Sequence, residues 1–198
     1  DGQQQALEGN IRAAGSTLRW ISGVFGISSE EAAEIAAQSK SDGVCLVPAF
    51  NGLGAPWWDS RALGLISGLT LNTDKGALFA AAVESIAHQV ADVVDAMNAS
   101  GVEVQRLLLD GGPSRNAKLR EMLSAYIAKP VVHCSDAELS ALGVAHLAGV
   151  GAGIWDWDAI AKLQRAQTAT DVSERNAATK PERQRWAHAV AQSRLARQ

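Results

Sequence analysis

The residues best suited to chemistry are Leu107-Leu108-Leu109-Asp110-Gly111-Gly112-Pro113-Ser114-Arg115-Asn116. An apolar strand meets two adjacent glycines and then a helix whose Leu119, Met122, Leu123, Tyr126 and Ile127 share one face. Glycine accepts positive φ and carries no Cβ to hold off an approaching group, and Ser114 stands where a hydroxyl caps the first helical amides. Seating the phosphates of a nucleotide is the chemistry such a corner supports. A tight strand-to-helix turn needs the same residues, and the Gly-Gly pair alone does not separate the two readings.

Other candidates fail on spacing. Gly52-Leu53-Gly54-Ala55-Pro56 starts like a dinucleotide fingerprint, but Trp57 takes the third glycine's place and no helical pattern follows at once. Gly149-Val150-Gly151-Ala152-Gly153 follows a helix instead of a strand and reads as a C-cap. No G-x-x-x-x-G-K-S/T occurs, so a nucleotide site here is not a P-loop. His88 has Glu84 and Asp92 one turn to either side, and the expectation is a solvated i,i+4 cluster on the polar face of a long helix. His133 and Cys134, adjacent in a strand, point to opposite faces and make no dyad. His146 and His188 have no ligand-spaced companion, and neither a metal site nor a catalytic residue is assigned. Trp57, Trp58, Trp155 and Trp157 suit a sugar platform or, as the preferred reading, caps over the core at loop ends.

The elements that must position the corner alternate. Gln3 to Glu8 reads as a short strand, and Gly9 leads to a helix carrying Leu18, Trp20, Ile21 and Val24 that ends near Gly23 to Gly26. Ser28 caps a second helix through about Gln38, with Glu30 and Glu31 in its first turn. Val44 to Pro48 and Gly64 to Thr70 read as strands. Thr73 and Asp74 open the longest helix, striped by Phe79, Val83, Ile86, Val90 and Met97 and followed by Gly101. Val104 to Leu109 and Val131 to Cys134 are further strands, and Glu138 to about Ala148 is a helix whose alanines and Gly143 suit close backbone packing. A last core helix spans Asp158 to about Ala166; a polar stretch then leads to a weakly amphipathic tail helix within Pro181 to Gln198, marked by Trp186 and Val190. The alternation predicts an α/β domain with helices on a sheet.

Bulk properties narrow the class. At 198 residues the expectation is one domain, with a core over about 1–166 and a polar linker and tail helix over 167–198. Eighteen basic residues against 21 acidic, without blocks of like charge, point to neither a nucleic-acid nor a membrane surface. Cys45 and Cys134 read first as free core thiols of a cytoplasmic protein, with a disulfide between them as the alternative. Asp1-Gly2 looks like a hairpin tip without an initiator Met, so a longer parent chain is expected.

Several of these stretches, in order, resemble one family. Ala6-Leu7-Glu8-Gly9, Ala14-Gly15, Trp20, Val47-Pro48-Ala49-Phe50-Asn51-Gly52-Leu53-Gly54-Ala55-Pro56-Trp57-Trp58-Asp59, Gly64-Leu65-Ile66-Ser67-Gly68-Leu69-Thr70, Asp110-Gly111-Gly112 and Ala141-Leu142-Gly143 are similar to the C-terminal domain of FGGY carbohydrate kinases, the glycerol kinases above all. The resemblance implies a ribonuclease H-like, actin-type domain, the second of two lobes that close over ATP. It also implies that the first lobe, with the sugar or polyol pocket, the aspartate base and a phosphate loop, is missing from this chain. Gly15, Gly111, Gly112 and Asn116 then match nucleotide contacts, with ATP or ADP and Mg²⁺ as cofactors and a small polyol or sugar as substrate; a homo-oligomer stays open.

Three departures mark this chain. Arg19 replaces the usual glutamine and either grips a phosphate or lies in solvent. Ala77 replaces a polar residue, and Pro113-Ser114-Arg115 replaces small apolar residues after the glycines. The implied activity is phosphoryl transfer from ATP to a substrate hydroxyl, glycerol first, with xylulose, gluconate or a non-catalytic nucleotide-sensing role as alternatives.

Overall fold

The computed structural model describes residues 6–134, 139–163, 167–170 and 179–195. Along the chain come α1 (Gly15–Phe25), α2 (Ser29–Gln38), β1 (Cys45–Val47), β2 (Leu65–Ser67), α3 (Lys75–Ala99), β3 (Leu107–Leu109), α4 (Ala117–Ile127), β4 (Val131–Cys134), α5 (Leu139–Gly151), α6 (Trp157–Ala161), β5 (Gln167–Thr170) and α7 (Lys180–Leu195). β1 and β2 form an antiparallel pair, and β3, β4 and β5 a second sheet in which β3 runs parallel and β5 antiparallel to β4.

Local chemistry explains most boundaries. Ser28 Oγ accepts the Glu31 amide to start α2, and Asp74 Oδ1 accepts the Ala77 amide at 2.8 Å to start α3. Gly26 and Gly101 adopt positive φ where α1 and α3 end. α3 is long and apolar enough to span a membrane, but 78% of that window is buried, because α1, α2 and α4 pack around it. Phe79, Ala82, Ala87 and Ala91 on α3 are fully buried; small residues between large ones let the neighbouring helices approach.

Several expectations change. Gln3 to Gln5 lie outside the described residues, and Ala6 to Glu8 are irregular. The strands expected from Gly64 and Val104 shrink to three residues each; the Val104 N–H is taken by Asn98 Oδ1 at 2.8 Å, which withholds it from a sheet. Glu138 also lies outside the described residues, and α5 leaves Gly143 beside open space; the close approach is at Gly149, against the Trp155 indole, so Gly149 and Gly151 belong to the helix and Gly153, with positive φ, follows it. α6 is five residues long and buries none, so it is not a core helix. β5 had no signature in the sequence: Gln167 to Thr170 lack a strong apolar alternation and are held by pairing with β4.

The largest correction concerns the tail. α7 carries weak amphipathic character, yet Trp186, Ala189 and Val190 each keep only 1% of their surface and form a second core with Cys45, Val47, Ala49, Leu53 and Ala62. The supposed solvated cluster on α3 is what α7 closes over. His88 is buried, stacked on Trp186 at 4.9 Å and on Tyr126 at 4.6 Å. Asp92 Oδ2 accepts the indole N–H of Trp186 at 2.7 Å and of Trp57 at 3.4 Å; Oδ1 accepts Arg183 at 2.6 Å. Arg183 also donates to the His88 carbonyl at 3.0 Å and lies 3.3 Å from His88 Nδ1. A guanidinium only donates, so Nδ1 accepts and the imidazole is neutral. Trp57 therefore faces the core, as expected of a cap, whereas Trp58 and Trp157 are exposed.

Burial, assisted by Arg183 and Arg185, pushes the His88 pKa down to about 3. The unfolded chain takes that proton near 6.5. This contribution to stability is thus complete above about pH 6.5 and drains away as the pH falls toward 3. Burial pushes the neighbouring Glu84 carboxyl up, which acts with the opposite sign in acid. Urea midpoints between pH 7 and 4 should fall less steeply for His88→Gln than for the parent chain; parallel slopes would show that His88 is not the group responsible.

Candidate functional site

The corner predicted at Gly111 forms where β3 hands the chain to α4. Gly111 has φ +80° and ψ 177°, a conformation that a side chain strains, and Gly112 to Arg115 make one 3₁₀ turn. Ser114 is not the cap of the following helix. Asn116 is: its Oδ1 accepts the Leu119 N–H at 3.1 Å, while Ser114, buried inside the turn, donates its hydroxyl to the Gly111 carbonyl at 2.6 Å. The inserted 3₁₀ turn delays the helix by two residues, which shifts the cap to the next suitable side chain.

Sequence-distant segments meet here. A Cβ on Gly15 would lie 3.5 Å from Pro113 Cγ, so the first turn of α1 rests against the glycine corner. α1 is held there by α3: Gln89 Nε2 donates to the Ala13 carbonyl at 2.9 Å, and Ala14, as N-cap, offers no side-chain bond to the first amides. Gly15, Gly111 and Gly112 are exposed, and a Cβ at Gly111 or Gly112 would meet nothing within 4 Å. The structure thus joins Gly15 to the corner containing Gly111, Gly112 and Asn116. Arg19 lies one turn further along α1, exposed and without an ion pair among the described residues.

One residue of this corner escaped the sequence reading. Arg120, on the second turn of α4, folds back to donate to the Ser114 carbonyl at 2.6 Å. No motif marks it, since the bond depends on the 3₁₀ turn. Its Nε, and Thr17 Oγ1 two residues after Gly15, are buried without hydrogen-bond partners. Among the described residues no three His, Cys, Asp or Glu side chains converge on a position that could hold a metal ion.

Residues 1–152 match the model of the FGGY family of carbohydrate kinases, C-terminal domain. The chain belongs to that family. Curated relatives include a glycerol kinase of Rhodopirellula baltica, 39% identical over 97% of this chain and 36% of its own length. An apulose kinase of Pectobacterium atrosepticum is 40% identical over 98% of this chain and 40% of its own. A Plasmodium falciparum glycerol kinase solved with ADP superposes with a TM-score of 0.80 at 31% identity, covering 92% of this chain and 37% of that one. The fold is the ribonuclease H-like, actin-type α/β lobe of FGGY kinases, and the chain spans about 40% or less of the relatives' length.

Proposed function

We propose that this FGGY domain is the nucleotide-side lobe of an ATP-dependent kinase that phosphorylates a small polyol or sugar, glycerol being the first candidate. The observation that carries the reading is the contact of Gly15 with the Gly111–Asn116 corner, which puts open backbone and an amide side chain on one exposed face. The open space where a Cβ on Gly111 or Gly112 would project leaves the backbone there open to a ligand, and the ADP in the Plasmodium glycerol kinase is consistent with a nucleotide as that occupant.

In this reading Gly15, Gly111 and Gly112 let the nucleotide approach the backbone, and the Asn116 amide, whose oxygen is committed to its helix, donates from its NH₂ group. Arg19 reaches toward a phosphate from α1. Mg²⁺ bound together with the nucleotide would supply neutralisation of the phosphate charge. The γ-phosphoryl passes in line to a substrate hydroxyl whose proton goes to an aspartate of the other lobe, and closure of the lobes excludes water. The 198-residue chain alone should therefore phosphorylate nothing; glycerol phosphate formed by it would sink that expectation.

Binding is tested on the full-length protein by thermal shift with ADP·Mg²⁺, where saturation at about 100 times Kd adds roughly 2.7 kcal/mol. Asn116→Asp keeps the cap oxygen but replaces the NH₂ group with a negative charge. It should retain the unliganded melting temperature and lose most of the shift; an undiminished shift would remove Asn116 from the site. A panel of glycerol, xylulose, gluconate and apulose with ATP then reads the substrate. Failure of all four, with ADP bound, favours the nucleotide-sensing alternative.

A further inference from the structure

We propose that Ser114 and Arg120 are a pair of positioning residues that preset the Gly111–Gly112 peptide for the phosphate end of a nucleoside diphosphate. The proposal rests on the nucleotide reading of this corner and adds which side chains give the corner its shape.

The geometry is a relay of two hydrogen bonds. The Arg120 guanidinium donates to the Ser114 carbonyl at 2.6 Å, and the Ser114 hydroxyl donates to the Gly111 carbonyl at 2.6 Å. The Ser114 amide adds a 3.2 Å bond to the same oxygen. A trans peptide is planar, with its C=O and N–H pointing opposite ways. Pinning the Gly111 carbonyl toward the buried Ser114 therefore turns the Gly112 N–H outward, to the side where both glycines are exposed. Two adjacent glycines would otherwise sample many orientations of that plane, and the relay removes this freedom before a ligand arrives.

Charge supports the same assignment. Arg120 has no carboxylate partner among the described residues, and its Nε is buried without an acceptor. A guanidinium without a carboxylate partner, hydrogen-bonded to the turn, adds positive charge to this corner and favours an anion bound there.

The test compares ADP·Mg²⁺ and adenosine binding to the full-length protein by calorimetry, for the parent and for Ser114→Ala, Ser114→Thr, Arg120→Met and Arg120→Lys. Ser114→Ala and Arg120→Met should each weaken ADP about five- to tenfold and adenosine less than about twofold. Thr and Lys should recover most of the loss, because they retain the hydroxyl and the charge. The double variant Ser114→Ala/Arg120→Met should cost less than the product of the single effects, since either change breaks the relay. Equal losses for ADP and adenosine, or ADP affinities unchanged in both single variants, would overturn the assignment while leaving the nucleotide site in place. A parent protein that binds no ADP would overturn the reading of the corner and the assignment together.

Discussion

Asp92→Ala should destabilise the fold by about 3–5 kcal/mol and lower the melting temperature by roughly 10 °C or more. The carboxylate side chain is 9% exposed and accepts from Arg183, Trp186 and Trp57, which come from two other segments of the chain. Removing it leaves two indole N–H groups without their acceptor and a largely buried guanidinium with only the His88 carbonyl and the exposed Asp95, and each orphaned donor costs its own desolvation. Asn is no remedy: its amide oxygen satisfies one side of the site, and its NH₂ faces a donor on the other. Asp95 is the internal control. It accepts from the same Arg183 at 3.1 Å, but its side chain is 62% exposed, so Asp95→Asn should cost less than about 1 kcal/mol. Urea unfolding of the two variants checks the contrast, and equal effects would show that the buried carboxylate does not hold α7.

Trp186→Ala should cost a similar amount, about 3–5 kcal/mol, through loss of packing rather than of charge. The ring is almost fully buried, stacks on His88, and anchors the second core between α7 and the segment around β1. Trp186→Phe keeps a ring for His88 and loses the N–H to Asp92, so about 1–2 kcal/mol is expected. Combining Trp186→Ala with Asp92→Ala should fall well short of the sum, because both break one contact. Additive losses in chemical denaturation would mean that the indole and the carboxylate work independently.

These effects were hard to read from the chain because they depend on partners far apart in sequence. Asp74, Ser28 and the α3 stripe were legible, since caps and helical periodicity are local signals. Gly15 and the Gly111–Gly112 corner were legible as candidates through the order of several motifs, yet their contact needs α3 to hold both ends, which spacing does not express. Glu84, His88 and Asp92 share a helix face that looks polar in isolation. It becomes interior only because α7 brings Trp186 and Arg183 from about a hundred residues away. Ser114 was misassigned for a smaller reason of the same kind: a single 3₁₀ turn moved the helix start, and capping rules see composition before they see register. β5 depends almost wholly on its neighbour, so its composition carried no warning.

The bond from Gln89 to Ala13 gives α3 two loads on neighbouring residues. One residue before it, His88 receives the α7 clasp; at the same level, Gln89 anchors the entry to α1 and hence the glycine corner. The middle of α3 therefore cannot fray without releasing both. Its amides between Ser85 and Asp92 should exchange with deuterium only through global opening, whereas those of α5 and α6, with little buried surface, should exchange by local excursions. In that hierarchy the glycine corner hangs from the slowest-exchanging part of the domain and moves with it as a solid piece.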